Sequence, residues 1–283
     1  MPFPSGTTIS SRVRLNQGPE IPWLGLGVFQ SEPGATTRRA VEYALRAGYR
    51  AVDTAAMYRN EVDVGEAVRS SGLSRDEVFV TTKLWYTDHG YDAALKAGHA
   101  SAERLGLGPI DLYLIHWPRA NSPEDRVGSW KALEQLHREG LCRAVGVSNY
   151  SVRHLEELLA HSTIVPAVDQ VEFHPFVFDP ELLRFCESHG IRLEAWAPLT
   201  RGRHLDHPTI VSIAAAHHRT PAQVLIRWGL EHGILEIPKS VHEERIRENA
   251  QVFDFTLSDK VVAALDALRG GPRVGMWNPT DIP

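Results

Sequence analysis

Eight short segments of the chain place apolar residues on consecutive positions rather than alternate ones, near residues 24–27, 50–53, 78–82, 111–115, 144–147, 167–171, 192–196 and 235–237. Such runs predict strands buried on both faces, the condition of a parallel sheet. Segments with helical spacing lie between them. Val152, Leu155, Leu158 and Leu159 mark one amphipathic helix, and Val261, Val262, Leu265 and Leu268 another. Asp179-Pro180 and Thr220-Pro221 read as an N-cap followed by proline at the first helical position, and Ser151 and Ser258 as further N-caps. Gly48, Gly72, Gly106, Gly140, Gly190 and Gly233 each close a helical segment shortly before an apolar run. This is the rhythm of repeated βα units. Arg12-Val13-Arg14-Leu15 and Glu20-Ile21-Pro22 flank Asn16-Gln17-Gly18-Pro19 and predict a short hairpin ahead of the first unit. No linker, charge run or low-complexity stretch divides residues 1–283, so we expect a single domain. An open doubly wound sheet is the structural alternative. Gly25-Leu26-Gly27 is too short for the dinucleotide fingerprint such a sheet carries. The longest loops are expected at 117–126, 198–208 and from 269 onward.

Four polar residues stand at or just past the ends of three of the predicted strands. Asp53 ends one apolar run, Lys83 the next and His116 the next, while Tyr58 stands just past Asp53. In a βα-barrel, polar residues at the carboxyl ends of strands read as catalytic. A phenol is a poor acid near neutrality, with a reference pKa of about 10. A nearby ammonium favours the phenolate and is expected to lower that value. A carboxylate beside the ammonium holds it in place. Tyr58 could then give a proton to a carbonyl oxygen as it becomes an alkoxide, with His116 orienting the same oxygen as a neutral donor. A hydride must come from elsewhere, which implies a nicotinamide cofactor. Taken singly, an Asp, Lys or His at a strand end is commonly a solvated loop residue, and the linear order does not show that the four converge.

The local wording around these residues carries more. Asp53-Thr54-Ala55-Ala56-Met57-Tyr58-Arg59-Asn60-Glu61 with Val64-Gly65-Glu66-Ala67, then Thr82-Lys83-Leu84-Trp85 and Leu114-Ile115-His116-Trp117-Pro118, resembles the signature of the aldo-keto reductases. Gly146-Val147-Ser148-Asn149, Asp169-Gln170-Val171-Glu172 and Ile237-Pro238-Lys239-Ser240-Val241 follow in family order. Together the blocks span residues 8 to 268, and they are most similar to the bacterial type that includes the 2,5-diketo-D-gluconate reductases. The resemblance implies a (β/α)8 TIM barrel, with the N-terminal hairpin closing its bottom. It implies Asp53, Tyr58, Lys83 and His116 as the catalytic set, and reduction of aldehydes or ketones by NADPH.

For the cofactor, Lys239, Ser240 and Arg245 cluster after the last strand, where barrels often hold phosphate. A solvated basic helix face is the alternative, and suits Arg247. The resemblance places Lys239, Ser240, Val241, Arg245, Glu248 and Asn249 at the 2′-phosphate and adenine, which implies NADPH over NADH. It places Ser148, Asn149 and Gln170 at the carboxamide. Trp196 stands where many relatives carry Tyr and could stack on the nicotinamide, with Ala197, Pro198 and Leu199 beside it. For the substrate, Phe29, Trp85 and Trp117 each follow a strand end and could wall a small carbonyl pocket or simply pack under loops. Phe29 replaces a larger aromatic of many relatives. Trp277 lies in a tail that folds over the pocket in the family. Trp23, Trp130 and Trp228 read as core.

Composition narrows the partners. Hydrophobic residues are 43% and charged residues 23%, ordinary for a globular chain. A net charge of −5 argues against nucleic acid, whose phosphates need a basic face. Only Cys142 and Cys186 are present, both inside predicted elements, which favours reduced thiols and a cytoplasmic setting. The first residues show no basic and apolar leader, and no apolar stretch approaches the roughly 18 residues of a membrane span. The 14 histidines include His204, His207, His217 and His218, but no spaced ligand set for a metal. We therefore expect no metal, and a monomer acting on a small carbonyl compound. Two other functions stay open at this level: an NADPH-binding barrel serving as a sensor or interaction subunit, and a sugar-phosphate isomerase.

Overall fold

The computed structural model describes residues 3–275 and 277–283. Strands β1 (Arg12–Arg14) and β2 (Glu20–Pro22) form the expected hairpin. Eight parallel strands follow: β3 (Leu26–Gly27), β4 (Ala51–Asp53), β5 (Phe79–Leu84), β6 (Ile110–Ile115), β7 (Cys142–Ser148), β8 (Val168–Glu172), β9 (Arg192–Trp196) and β10 (Leu235–Glu236). They pair in chain order. Parallel bridges from Leu24 to Glu236 and from Gly27 to Lys239 join the last strand to the first, so the sheet closes into a barrel. Gly27 permits that closure, because a Cβ there would lie 2.9 Å from the carbonyl oxygen of Ile237.

Helices alternate with the strands: α1 (Ala35–Arg46), α2 (Glu61–Ser70), α3 (Tyr91–Leu105), α4 (Pro123–Arg138), α5 (Val152–His161), α6 (Pro180–Ser188), α7 (Pro208–Ala216), α8 (Pro221–Glu231), α9 (Glu243–Ala250) and α10 (Asp259–Asp266). Between β9 and β10 there are two helices, α7 and α8, and α7 packs against α10 outside the βα repeat. Three of the four predicted caps bond through their side chains, Ser151 in a capping box with His154, while Ser258 stands at the start of α10 without a side-chain cap bond. Asp179 accepts from the Glu181 amide, and Thr220 and Gln223 form a reciprocal capping box. The loop expected at 117–126 is shorter, because α4 begins at Pro123. Ser122 caps it, accepting from the Asp125 amide at 3.2 Å. The Ser122-Pro123 signal is the same one read at Thr220-Pro221.

The hairpin covers the amino-terminal end of the barrel, as the resemblance implied. The Gln17 side chain donates to the carbonyls of Val145 and Val165 and accepts from the Val145 amide, while Asn16 donates to Pro166 O. Trp23, Trp130 and Trp228 are buried in the core, and both cysteines are free and buried. Among the described residues no helix is long and apolar enough to cross a membrane.

One core position breaks the apolar rule. Glu236 on β10 is 1% exposed and neither carboxylate oxygen has a hydrogen-bond partner. It lies against Gly229 of α8, where a Cβ would sit 1.7 Å from Glu236 Oε1. Burial, and then the nearby Glu194 carboxyl, push its pKa well above the ordinary carboxylate range.

Candidate active site

At the carboxyl-terminal mouth of the barrel, Asp53 ends β4 and Lys83 lies near the end of β5. His116 follows β6, and its amide extends the ladder to Leu84 O. Tyr58 is delivered by a 3-10 turn, Ala56–Tyr58, directly after β4. The structure brings the four side chains together. Lys83 Nζ donates to Asp53 Oδ1 at 2.6 Å and to Thr54 O at 2.9 Å, with Tyr58 Oη at 3.4 Å. The Tyr58 and His116 rings meet edge to face at 5.6 Å. Lys83 is fully buried and Asp53 is 3% exposed, so this ion pair is shielded from water. Leaving either charge alone there would be strongly destabilising.

Electrostatics correct one expectation. Tyr58 is not made more acidic by these surroundings. Burial is the largest influence and outweighs the Lys83 ammonium, so its pKa is pushed up to about 12. Burial also disfavours the Lys83 charge, but Asp53 and then Tyr58 more than compensate, so its pKa is raised. Burial raises Asp53 against the pull of Lys83. With Lys83 on one oxygen and Gln170 on the other, we read Asp53 as the charged partner of the ammonium. Burial, with a smaller push from Lys83, lowers His116 well below the ordinary imidazole range, so it is neutral at pH 7.

Behind this set lies a buried polar layer that linear reading did not anticipate. Gln170 Nε2 donates to Asp53 Oδ2 at 2.7 Å and to Glu194 Oε2 at 2.6 Å. Burial and then the Asp53 charge push Glu194 up to about 7. Asn149, in the left-handed region at φ 64°, ties three neighbouring strands. Its Nδ2 donates to His116 O, its amide to Gln170 O, and its Oδ1 accepts from Trp196 Nε1 at 2.9 Å. Ser148 Oγ donates to Gln170 O. Ala197, Pro198 and Leu199 open a tight turn in which Thr200 N bonds Ala197 O and Gly202 N bonds Leu199 O.

At the end of β10, Lys239 and Arg245 are exposed, and among the described residues neither pairs with a carboxylate. Ser240 Oγ accepts from the His242 amide, and Val241 packs on the core. Asn249 is buried, and Glu248 accepts a 2.7 Å hydrogen bond from Thr220, the cap of α8. Arg247 pairs with Glu243 on the exposed helix face, as expected for a solvated residue. A pair of unpaired cations beside a neutral hydroxyl and amide suits a phosphate group.

The aromatic residues expected in the pocket also converge. Phe29 packs on Tyr58 at 5.0 Å, and Trp85 on His116 at 5.1 Å. Trp277 lies over Trp85 at 6.3 Å and edge-on to Trp117 at 5.1 Å, with Tyr86 as an additional wall. The tail that carries Trp277 is tied down at two points. Glu172 Oε1 accepts from the Val274 amide and from His174, and a Cβ on Gly275 would lie 2.8 Å from the Trp196 ring. Further along, Arg153 and His154 donate to Ile282 O, and Arg126 donates to Pro283 O and Pro118 O. Arg126 also makes a forked ion pair with Glu157. Tyr86, Arg126 and Glu194 carried no distinguishing signal in the sequence, and Glu172 stood there only as the last residue of the Asp169-Gln170-Val171-Glu172 block, because their importance lies in contacts between distant parts of the chain.

Arg126 gives a direct test of the tail. Arg126→Met keeps the side chain's length and removes its donors, and hydrogen bonds to charged groups are each worth about 1.5–3 kcal/mol. The unfolding free energy is expected to fall by that order, with faster proteolysis after residue 268. Unchanged proteolysis would show that Arg126 does not hold the tail.

Comparisons with known proteins agree with this architecture. The sequence model of the Aldo/keto reductase family matches residues 24–269. The chain is 48% identical over 276 residues to the glyoxal reductase of Bacillus subtilis (strain 168), covering 98% of this chain and 99% of that protein. Among solved structures it is similar to an aldo-keto reductase from a Medee basin deep-sea metagenome library, with a TM-score of 0.89, 41% identity, and coverage of 94% and 97% of the two chains. It is similar also to a Bombyx mori aldo-keto reductase in complex with NADP, with a TM-score of 0.89, 33% identity, and coverage of 98% and 99%. A closed eight-stranded barrel, a family match over most of the chain and high identity along nearly its whole length have one consequence: the chain belongs to the aldo/keto reductase family.

Proposed function

We propose that the protein reduces aldehydes or ketones to alcohols by hydride transfer from NADPH, with Tyr58 as the general acid. The observation that carries this reading is the buried Lys83 ammonium, held by Asp53 and set 3.4 Å from the Tyr58 hydroxyl at an aromatic-walled pocket. When bound, the cofactor supplies the hydride. Tyr58 then gives its proton to the carbonyl oxygen. A phenol with a pKa of about 12 is acid enough for this, since an alkoxide is comparable in basicity to hydroxide, whose conjugate acid has a pKa of about 15.7. Lys83 stabilises the phenolate left behind, and Asp53 keeps Lys83 charged. Neutral His116 donates to the same oxygen and fixes which carbonyl face is presented.

The cofactor would be held by Ser148, Asn149 and Gln170 at the carboxamide, with the Trp196 ring beside the nicotinamide and Ala197, Pro198 and Leu199 flanking it. Because Gln170 Nε2 is engaged by Asp53 and Glu194, its amide oxygen is the atom left to accept from a carboxamide. Lys239, Ser240, Val241 and Arg245 would bind the 2′-phosphate, with Glu248 and Asn249 at the adenine. The NADP complex of the Bombyx mori relative supports the phosphorylated cofactor. Phe29, Trp85, Trp117 and Trp277 form the substrate walls.

The test is loss of NADPH absorbance with a simple aldehyde. NADPH binding without turnover over a broad carbonyl panel would instead support a sensor or interaction subunit. Cofactor choice has its own test. Arg245→Ala should raise the Kd for NADPH about tenfold or more, since charge-assisted hydrogen bonds to phosphate are among the strong ones, and leave NADH binding nearly unchanged. Equal weakening of both cofactors would show that Arg245 does not read the 2′-phosphate.

A further inference from the structure

One buried acid next to the site has no part in the chemistry above beyond engaging Gln170. Glu194 on β9 is 3% exposed. Its Oε2 accepts from Gln170 Nε2 at 2.6 Å, and the same nitrogen donates to Asp53 Oδ2 at 2.7 Å. Gln170 and Glu194 are register partners on β8 and β9, so their side chains leave the sheet on one face. The bond onward to Asp53, across the barrel on β4, makes that face the interior. Trp196, two residues beyond Glu194 on the same strand, shares this face one step nearer the mouth.

This layer holds one acid more than it holds bases. Asp53 and Lys83 form an ion pair of their own, which leaves Glu194 as the surplus carboxyl. A carboxylate taken out of water without a dedicated cation is costly. Burial and then the Asp53 charge push its pKa up to about 7, so near neutrality it is part protonated and part ionised. The charged and titratable groups around it are engaged elsewhere. Glu172 of β8 bonds His174 and pairs with Arg273. Glu236 of β10 is the register partner of Ala195, so it leaves the sheet on the other face, against α8. On β9 itself Arg192 lies over the Trp23 ring. The helix packed on that strand, α6, buries Leu182 and Cys186, and burial pushes the Cys186 thiol up.

NADPH and NADP+ differ at one ring, a neutral dihydropyridine in the reduced cofactor and a pyridinium cation in the oxidised one. Asp53 is engaged by Lys83, so Glu194 is the acid of this layer with charge to offer that cation. We propose that Glu194 is a positioning residue that responds to the charge of the cofactor: acting through Gln170, its ionised form favours NADP+ and its protonated form favours NADPH, so that NADP+ binding releases a proton from Glu194 to solvent. This rests on the reading of Gln170 as the holder of the nicotinamide carboxamide. The sign follows from linkage. Glu194 is mostly protonated at pH 6 and mostly ionised at pH 8. NADP+ therefore binds more tightly as pH rises through 7, and NADPH does not. Both cofactors carry the same 2′-phosphate, so its titration cancels in the ratio of their Kd values.

Quenching of tryptophan fluorescence at pH 6 and pH 8 gives Kd for each cofactor. For the unmodified protein the ratio of the NADP+ Kd to the NADPH Kd should fall by about five- to tenfold between the two pH values, the change in ionised fraction of one group titrating near 7. Glu194→Gln keeps an oxygen that accepts from Gln170 and cannot ionise, so its ratio should stay within about twofold. Calorimetry of the unmodified protein at pH 7, in buffers of different ionisation enthalpy, reads the same coupling without a variant. NADP+ binding should release up to about half a proton more than NADPH binding, because a group at its pKa is half protonated. Equal proton release for the two cofactors would overturn the proposal, and so would a Glu194→Gln ratio that keeps the slope of the unmodified protein. Failure of the unmodified protein to bind either cofactor would instead overturn the cofactor reading itself, and the proposal with it.

Discussion

Tyr58→Phe is expected to lower kcat by about 10²–10⁴-fold, the range that general acid catalysis contributes. The substitution removes one hydroxyl and leaves the ring packed between Phe29 and His116. NADPH affinity and thermal stability should hardly change, because among the described residues that hydroxyl's one hydrogen-bond contact is the long 3.4 Å approach of Lys83. Lys83→Met should abolish turnover for a different reason. It strands the Asp53 carboxylate in a site 3% exposed, and removes the cation that offsets the burial of Tyr58. Breaking a buried pair in this way costs about 3–5 kcal/mol, so Lys83→Met should also unfold more easily. The double variant Asp53→Asn, Lys83→Met should recover stability without recovering activity. Steady-state kinetics together with urea unfolding check both arms. A Tyr58→Phe protein with near-normal kcat would remove Tyr58 from the role of acid.

Glu236→Leu is expected to stabilise the protein, and more so at higher pH. The wild-type carboxyl is buried with no partner, and an unsatisfied buried polar group costs about 1–3 kcal/mol. Its folded-state pKa is raised above the ordinary value of about 4.3, so between those two values the folded chain binds more protons than the unfolded one. Stability therefore falls as pH rises through that window, and the loss is absent below it. Glu194, pushed up to about 7, contributes with the same sign, so the variant should remove part of the pH dependence and not all of it. Urea midpoints at pH 5 and pH 8 measure the difference. Glu236→Gln, which cannot ionise but leaves a buried polar group, should match wild type near pH 5 and exceed it near pH 8. A Glu236→Leu gain that is the same at both pH values would mean that the carboxyl does not titrate in this range.

The order of elements and the identity of the strand-end residues were legible in the sequence, for a local reason. Strands covered on both faces need apolar residues at every position, and caps and turns are set by neighbours within four residues. The runs at 78–82 and 111–115 thus match β5 and β6, and Thr220-Pro221 marks the start of α8. The same local logic picked out Asp53, Lys83 and His116, since a polar residue at the carboxyl end of such a run lies at the barrel mouth. What tertiary structure decided depends on distances across the closed barrel. Only closure brings Gln170 of β8 to Asp53 of β4, 117 residues away, and seats Trp277 on Trp85. The tail's anchor on Arg126 is likewise invisible to spacing. The direction of the Tyr58 shift was also a tertiary matter: the Lys83 charge can be read from the chain, but the depth of burial that outweighs it exists only once the barrel has formed around both.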